Sequence, residues 1–237
     1  MDALMVDIVT ENQLPLCLQL KDDCTFESFY AGSNAHIINI IKRAILSPHD
    51  EFIYIWGRKG VGCSHLLQAA CHFATLHQRA SLYLPLKQQL NTNILQDLER
   101  TDLVCLDDLD AIAGDKLWEE AIFYLYNRIK TSQKKLIIAA QQPPKGAHIQ
   151  LMDLRSRLEW GIAVQVHALE DNDLVCALQL RAKKRGMQIN QEVAEFIINR
   201  VTRSMSSLYL TLEQLDVASL TLQRKITIPF VKKILKL

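Results

Sequence analysis

Short, continuous apolar runs separated by amphipathic stretches set the plan of this chain. Phe52-Ile53-Tyr54-Ile55-Trp56, Ser81-Leu82-Tyr83-Leu84-Pro85-Leu86, Leu103-Val104-Cys105-Leu106, Lys135 to Ala140 and Ile162 to Val166 are dominated by apolar residues rather than alternating. That is the pattern of strands buried on both faces of a parallel sheet. Between them lie helical patterns. One runs from about Ala35 to Leu46 and is closed by Ser47-Pro48-His49-Asp50, and another starts at Leu66-Leu67-Gln68-Ala69-Ala70-Cys71. A third, Trp118 to Lys130, carries apolar residues at 118, 122, 125, 126 and 129, one face of a helix. Strands alternating with helices predict an α/β fold with both faces of the sheet covered. Beyond about Glu170 the strand signals stop, and helical patterns over roughly 171–185, 190–203, 206–223 and 228–236 predict a small all-helical unit. The expected organisation is a tail, 1–24, an α/β nucleotide-type domain, 25–168, and a helical lid, 169–237.

The tail lacks sustained periodicity and contains the apolar string Gln13-Leu14-Pro15-Leu16-Cys17-Leu18. Pro15 argues against a helix or a central strand there. The string is either laid on a domain edge or is a short linear motif that docks elsewhere, and composition alone favours the edge.

Composition narrows the class only a little. About half the residues are apolar and 22% are charged, ordinary values for a globular chain. A net charge of +1 gives no global argument for nucleic acid or membrane, so any such contact is local. The six cysteines, at 17, 24, 63, 71, 105 and 176, form no C-x-x-C pair and several sit in apolar runs. They read as small buried hydrophobes in a reducing compartment. Asp2, Asp7 and Glu11 interrupt the N-terminal apolar residues, against a signal peptide, and no stretch approaches a membrane span. A cytoplasmic protein without a membrane partner is expected.

The chemistry concentrates at Gly57-Arg58-Lys59-Gly60-Val61-Gly62-Cys63-Ser64-His65, between the first strand and the second helix. Strand, glycine-rich turn, helix is the context of a phosphate-binding loop. Backbone N–H groups point into the turn, and the helix offers its positive end. The pattern G-x-x-x-x-G-K-[ST] fails at one position, because Cys63 stands where the phosphate-binding lysine belongs. Asp107, at the end of the third strand, would face the same crevice and could hold Mg²⁺ together with the Ser64 hydroxyl. Arg155-Ser156-Arg157-Leu158 precedes the last strand. An arginine there is either a solvated surface residue or an arginine finger reaching the γ-phosphate of a neighbouring subunit. Arg181-Ala182-Lys183-Lys184-Arg185-Gly186 is read first as cations offsetting the dipole at a helix end, with a phosphate or partner contact as the alternative. His65, His72 and His77 lack zinc-site spacing, and no nucleophile–base pair is evident.

Together these motifs resemble the AAA+ domain of the bacterial replication initiator DnaA. Thr25-Phe26-Glu27-Ser28-Phe29 with Gly32-Ser33-Asn34 is similar to that family's opening box, Asp107-Asp108 to its Walker B ending, and Ser156-Arg157-Leu158 with Trp160-Gly161 to its arginine-finger box. The resemblance extends to the family branch that inactivates the initiator. There, Gln13-Leu14-Pro15-Leu16-Cys17-Leu18 is similar to the hexapeptide that binds the sliding clamp, departing mainly at Cys17. This reverses the edge reading of the tail. Gln13 would bond at the pocket rim, with Leu14, Leu16 and Leu18 completing the motif. Trp118-Glu119, Tyr126-Asn127-Arg128-Ile129 and the run from Ile226 to Leu237 resemble the same branch, and no helix-turn-helix domain follows the lid.

The resemblance implies a P-loop AAA+ domain with a helical lid, and a regulator of chromosome replication rather than a free-standing enzyme. It would bind the DNA-loaded sliding clamp, the DNA polymerase III beta subunit, and so meet DNA indirectly. Arg157 would act in trans on ATP held by DnaA, leaving the inactive ADP form. Homo-oligomers are possible partners too. ADP would sit on Gly57, Gly60, Val61, Gly62, Cys63, Ser64 and His65, with Asp107, and Ser64 and Asp107 could hold Mg²⁺. Three departures bear on this site. Cys63 lacks the lysine's charge, Gln141 stands in place of an acidic sensor, and Ser206 stands in place of the lid's sensor arginine. Losing two charge-assisted phosphate contacts, about 1.5–3 kcal/mol each, would weaken nucleotide affinity by roughly a hundredfold or more. ADP binding is expected to survive, whereas efficient hydrolysis by the chain itself is not. The alternatives are a self-acting AAA+ ATPase in initiation or helicase loading, and a clamp-binding scaffold with a vestigial nucleotide site.

Overall fold

The computed structural model describes residues 20, 24–49, 51–89, 91–201 and 204–236, so the clamp-type hexapeptide at 13–18 lies outside the described residues. Five strands form one parallel sheet: β1 (Glu51–Trp56), β2 (Ser81–Pro85), β3 (Leu103–Asp107), β4 (Lys135–Ala140) and β5 (Ile162–Gln165). Their spatial order is β2-β3-β4-β1-β5. The chain leaves β1 for the far edge, works back through β3 and β4, and finally adds β5 on the other side of β1. The carboxyl ends of β1 and β3, with β4 between them, thus open onto one crevice at a switch in strand order.

In the interior strands β1, β3 and β4 the apolar runs are buried on both faces, as their pattern predicts, whereas β5, an edge strand, leaves Ile162, Ala163 and Gln165 exposed and buries only Val164. Tyr54, Val104, Leu106, Leu136 and Ile138 pack against α3 (Lys116–Thr131) and α4 (Met152–Trp160). Their alternate neighbours Ile53, Ile55, Cys105, Ile137 and Ala139 face α1 (Ala35–Leu46) and α2 (Cys63–Leu76). Pro85 is tolerated because it ends an edge strand. The five apolar positions that predict α3, Trp118, Ile122, Leu125, Tyr126 and Ile129, are all buried. The helix begins two residues earlier than the pattern suggests, because the Asp115 carboxylate accepts from the backbone N–H groups of Leu117 and Trp118.

Helix α4 carries no clear amphipathic signal, with only Leu154 and Leu158 buried. It is fixed from elsewhere. Glu119, 1% exposed, accepts the backbone N–H groups of Gly114 at 2.7 Å, Gln150 at 3.0 Å and Leu151 at 2.7 Å, tying α3 to the start of α4.

The lid is four helices, α5 (Asp171–Lys184), α6 (Gln191–Ile198), α7 (Met205–Leu222) and α8 (Ile228–Leu235). They share a core that includes Leu178, Ala194, Ile197, Leu208, Leu212 and Val231. Helix α6 is shorter than the 190–203 pattern, ending where Asn199, a residue that favours caps over helix interiors, takes the C-cap.

Candidate functional site

The glycine-rich loop folds back over the end of β1. The Gly57 N–H donates to the Ala140 carbonyl at 3.2 Å, and the Leu66 N–H closes the first turn of α2 on the Gly62 carbonyl at 3.0 Å. Gly62 cannot be replaced without strain. Its φ is +112°, and a Cβ there would stand 2.7 Å from the Phe29 ring. Gly57, Gly60, Val61, Gly62, Cys63, Ser64, His65 and Asp107 all line one cleft of about 860 Å³, bounded on its other side by the lid. The sequence-predicted nucleotide residues are therefore brought together. The amide-lined turn and the N-terminus of α2 suit a phosphate.

Asp107 is buried, and both of its oxygens are engaged. Oδ2 accepts from the Tyr83 hydroxyl at 2.7 Å and Oδ1 from the Asp108 N–H at 2.9 Å. Burial, followed by the Asp107 charge, holds the Tyr83 phenol protonated well above its usual range. Tyr83 gives no sign of this role in sequence beyond being a strand residue. It reaches the carboxylate because Tyr83 pairs with Cys105 in the β2–β3 register, so it shares a face with Asp107. Asp108 adopts a left-handed φ of 57°. Its carboxyl is pushed up by burial and by Asp107, against the nearby charges of Lys87 and Lys59. Asp110 accepts the Gln141 N–H at 2.6 Å, which holds the sensor-position residue at the rim.

Cys63, the first residue of α2, has its thiol pushed up to about 12, by burial first and by Asp107 next. It is a neutral thiol at physiological pH, so the loop lacks a cation at the lysine position. The cleft as a whole does not. Arg58 and Lys59 line it from the loop, Lys87 from the end of β2, and Arg181 and Arg185 from the lid. The basic cluster is thus more than a helix-end dipole device, because two of its cations face the cleft. Arg181 lies with its guanidinium 4.7 Å from the centre of the Tyr209 ring. The side chain of Ser206, at the sensor-arginine position, is outside the described part. As for metal, Ser64 and Asp107 both line the cleft and are oxygen donors suited to Mg²⁺. Among the described residues no group of three or more His, Cys, Asp or Glu side chains is placed to hold an ion, so any Mg²⁺ would need oxygens from a nucleotide.

His65 lines the cleft, but its ring serves the opening box. Nε2 lies 2.9 Å from the Thr25 carbonyl, which can only accept, and 3.3 Å from Ser28 Oγ. The same box reaches the junction with the lid. Asn34 exchanges two bonds with the backbone of His167, between β5 and α5, at 3.0 and 2.8 Å, and the Tyr30 hydroxyl donates to Asp173 of the lid at 3.1 Å.

Arg157 stands apart from all of this. It projects from α4 and is absent from the cleft lining. Its guanidinium sits 4.8 Å from the centre of the exposed Trp160 ring.

A five-stranded parallel sheet in this order, with a phosphate-type loop after β1 and a helical lid closing the cleft, defines an AAA+ module. The family model for the bacterial DnaA ATPase domain matches residues 20–165, and the model described as "Hda, lid domain" matches 171–235. The chain belongs to the DnaA-related AAA+ family. Among solved structures it is similar to domain III of the replication initiation protein DnaA from Thermotoga maritima, with a TM-score of 0.78 and 20% identity over 92% of this chain and 98% of that one. It is also similar to AMPPCP-bound DnaA from Aquifex aeolicus, with a TM-score of 0.70 and 21% identity over 85% and 67% of the two chains. The RuvB Holliday junction branch migration motor of Thermotoga maritima has a TM-score of 0.63 and 17% identity over 85% and 67%. Among the described residues no helix is long and apolar enough to cross a membrane.

Proposed function

We propose that this chain is a regulator of replication initiation that activates hydrolysis of ATP bound to DnaA, rather than an efficient ATPase of its own. The observation that carries this reading is the division between two sites. The chain's own cleft has a neutral thiol where the loop lysine belongs, whereas Arg157 stands on α4 away from that cleft. In the proposed complex Arg157 reaches the γ-phosphate held by DnaA and stabilises charge that builds there as the bond to the leaving ADP breaks. DnaA is left in its inactive ADP form. Gln13, Leu14, Leu16 and Leu18 tether the chain to the sliding clamp, which brings it to replicating DNA.

The chain's own site binds ADP. The loop amides of Gly60, Gly62 and Cys63 and the α2 N-terminus hold the phosphates, and Ser64 and Asp107 are the residues that would hold Mg²⁺. Bound ADP would keep lid and sheet in one arrangement through contacts to both. That Ser64 and Asp107 both remain at the cleft favours the second reading, a self-acting ATPase in initiation or helicase loading.

The purified chain's own ATP turnover, measured beside its effect on ATP-loaded DnaA with clamp on DNA, separates the two. Negligible turnover alone with strong stimulation of DnaA is expected. Substantial turnover alone, abolished by Asp107→Ala, would instead establish the self-acting ATPase.

A further inference from the structure

We propose that Trp160 is a positioning residue for Arg157, holding its guanidinium as a flat, undischarged cation ready for a phosphate. The inference rests on the reading of Arg157 as an arginine acting in trans. Arg157 and Trp160 are three residues apart, so they lie on one face of α4. The guanidinium carbon is 4.8 Å from the ring centre, and the Lys130 ammonium, from α3, is 5.6 Å from the same ring. Among the described residues Arg157 makes no ion pair. A carboxylate in the ring's place would neutralise the arginine and occupy its fork. An aromatic face orients the plane and leaves all five N–H donors and the full charge available.

Trp160, 68% exposed, contributes little to the core, yet its backbone is pinned. The next residue, Gly161, runs so close to β1 that a Cβ would stand 2.7 Å from the Phe52 carbonyl oxygen. Trp160 is therefore held at a fixed point on the edge that bears β5, without being needed to hold the fold.

The test is single-turnover hydrolysis of ATP on DnaA, with clamp on DNA, titrated with the chain and its variants. Trp160→Leu is expected to lower the saturating rate about fivefold, the order of one exposed cation–π contact. Trp160→Phe should stay within about twofold of the original, and the chain concentration at half-maximal rate should not move for either variant. If Trp160→Leu leaves the saturating rate intact while Arg157→Ala abolishes it, the positioning role is wrong and the trans-arginine reading stands. If Trp160→Leu shifts only the half-maximal concentration, the ring is a docking contact and the proposal is overturned. If Arg157→Ala itself changes nothing, the underlying reading fails. Unchanged thermal unfolding of both tryptophan variants checks that the fold is intact.

Discussion

Restoring the missing charge of the phosphate loop is the sharpest perturbation of the chain's own site. Cys63→Lys places an ammonium at the first residue of α2, beside a turn whose residues already line the cleft. A charge-assisted contact between ammonium and phosphate contributes about 1.5–3 kcal/mol, or roughly a ten- to 150-fold gain in ADP affinity. The structure argues for the lower end. Asp107, Asp108 and Asp110 all act electrostatically on residue 63, so in the free protein the new ammonium already has anionic neighbours to give up. Arg181, Arg185 and Lys87 also supply positive charge to the same cleft. A gain of about tenfold is therefore expected in isothermal titration of ADP against the apo protein, larger with Mg²⁺ present if Ser64 and Asp107 take part. Cys63→Ser, which changes the side chain without adding charge, should bind ADP as the original does. If Cys63→Lys folds normally but gains nothing, the loop does not cradle the phosphates and the nucleotide assignment is wrong.

Two further outcomes follow from individual side chains. Glu119→Gln keeps the volume but turns an amide donor toward backbone N–H groups of Gly114, Gln150 and Leu151. A loss of about 3 kcal/mol is expected, seen as a fall of roughly 6–12 °C in thermal unfolding; a shift of a degree or less would mean the carboxylate does not anchor α4. The raised pKa of Cys63 means that its thiolate appears only as pH climbs toward about 12, so the neutral thiol persists through neutral and mildly alkaline pH. Iodoacetamide at pH 8 should therefore spare the half-buried Cys63 while labelling the exposed Cys176, as read by peptide mass spectrometry; rapid labelling of Cys63 in the folded protein would contradict its raised pKa.

How much of this was legible in sequence depended on what fixes each element. The interior strands of the sheet were legible because both faces are buried, which forces long apolar runs such as Leu136 to Ala140. The loop and Asp107 were legible because their chemistry is written locally, in glycines and in a carboxylate at a strand end. Helix α4 was not, since Leu154 and Leu158 alone face the core and a carboxylate from α3 sets its start. Tyr83 was hidden for a related reason, because its hydroxyl meets Asp107 only through the β2–β3 register. Arg181 and Arg185 look like helix-end cations until the lid is placed over the sheet, and only then do they face the cleft. The family resemblance implies a site depleted of positive charge. The fold brings charge back to it from residues distant in sequence.

If the decisive arginine works on a nucleotide bound to another protein, its removal must silence stimulated hydrolysis on that protein alone. ATP prebound to DnaA is followed through a single turnover, with clamp loaded on DNA, in the presence of the original chain or of Arg157→Ala. An arginine finger contributes about 10³–10⁵ to such a rate in related phosphoryl-transfer systems. The variant is expected to bind the clamp as before and to leave DnaA hydrolysing at its unassisted rate. Equal stimulation by the alanine variant would show that Arg157 does not act on the nucleotide of DnaA.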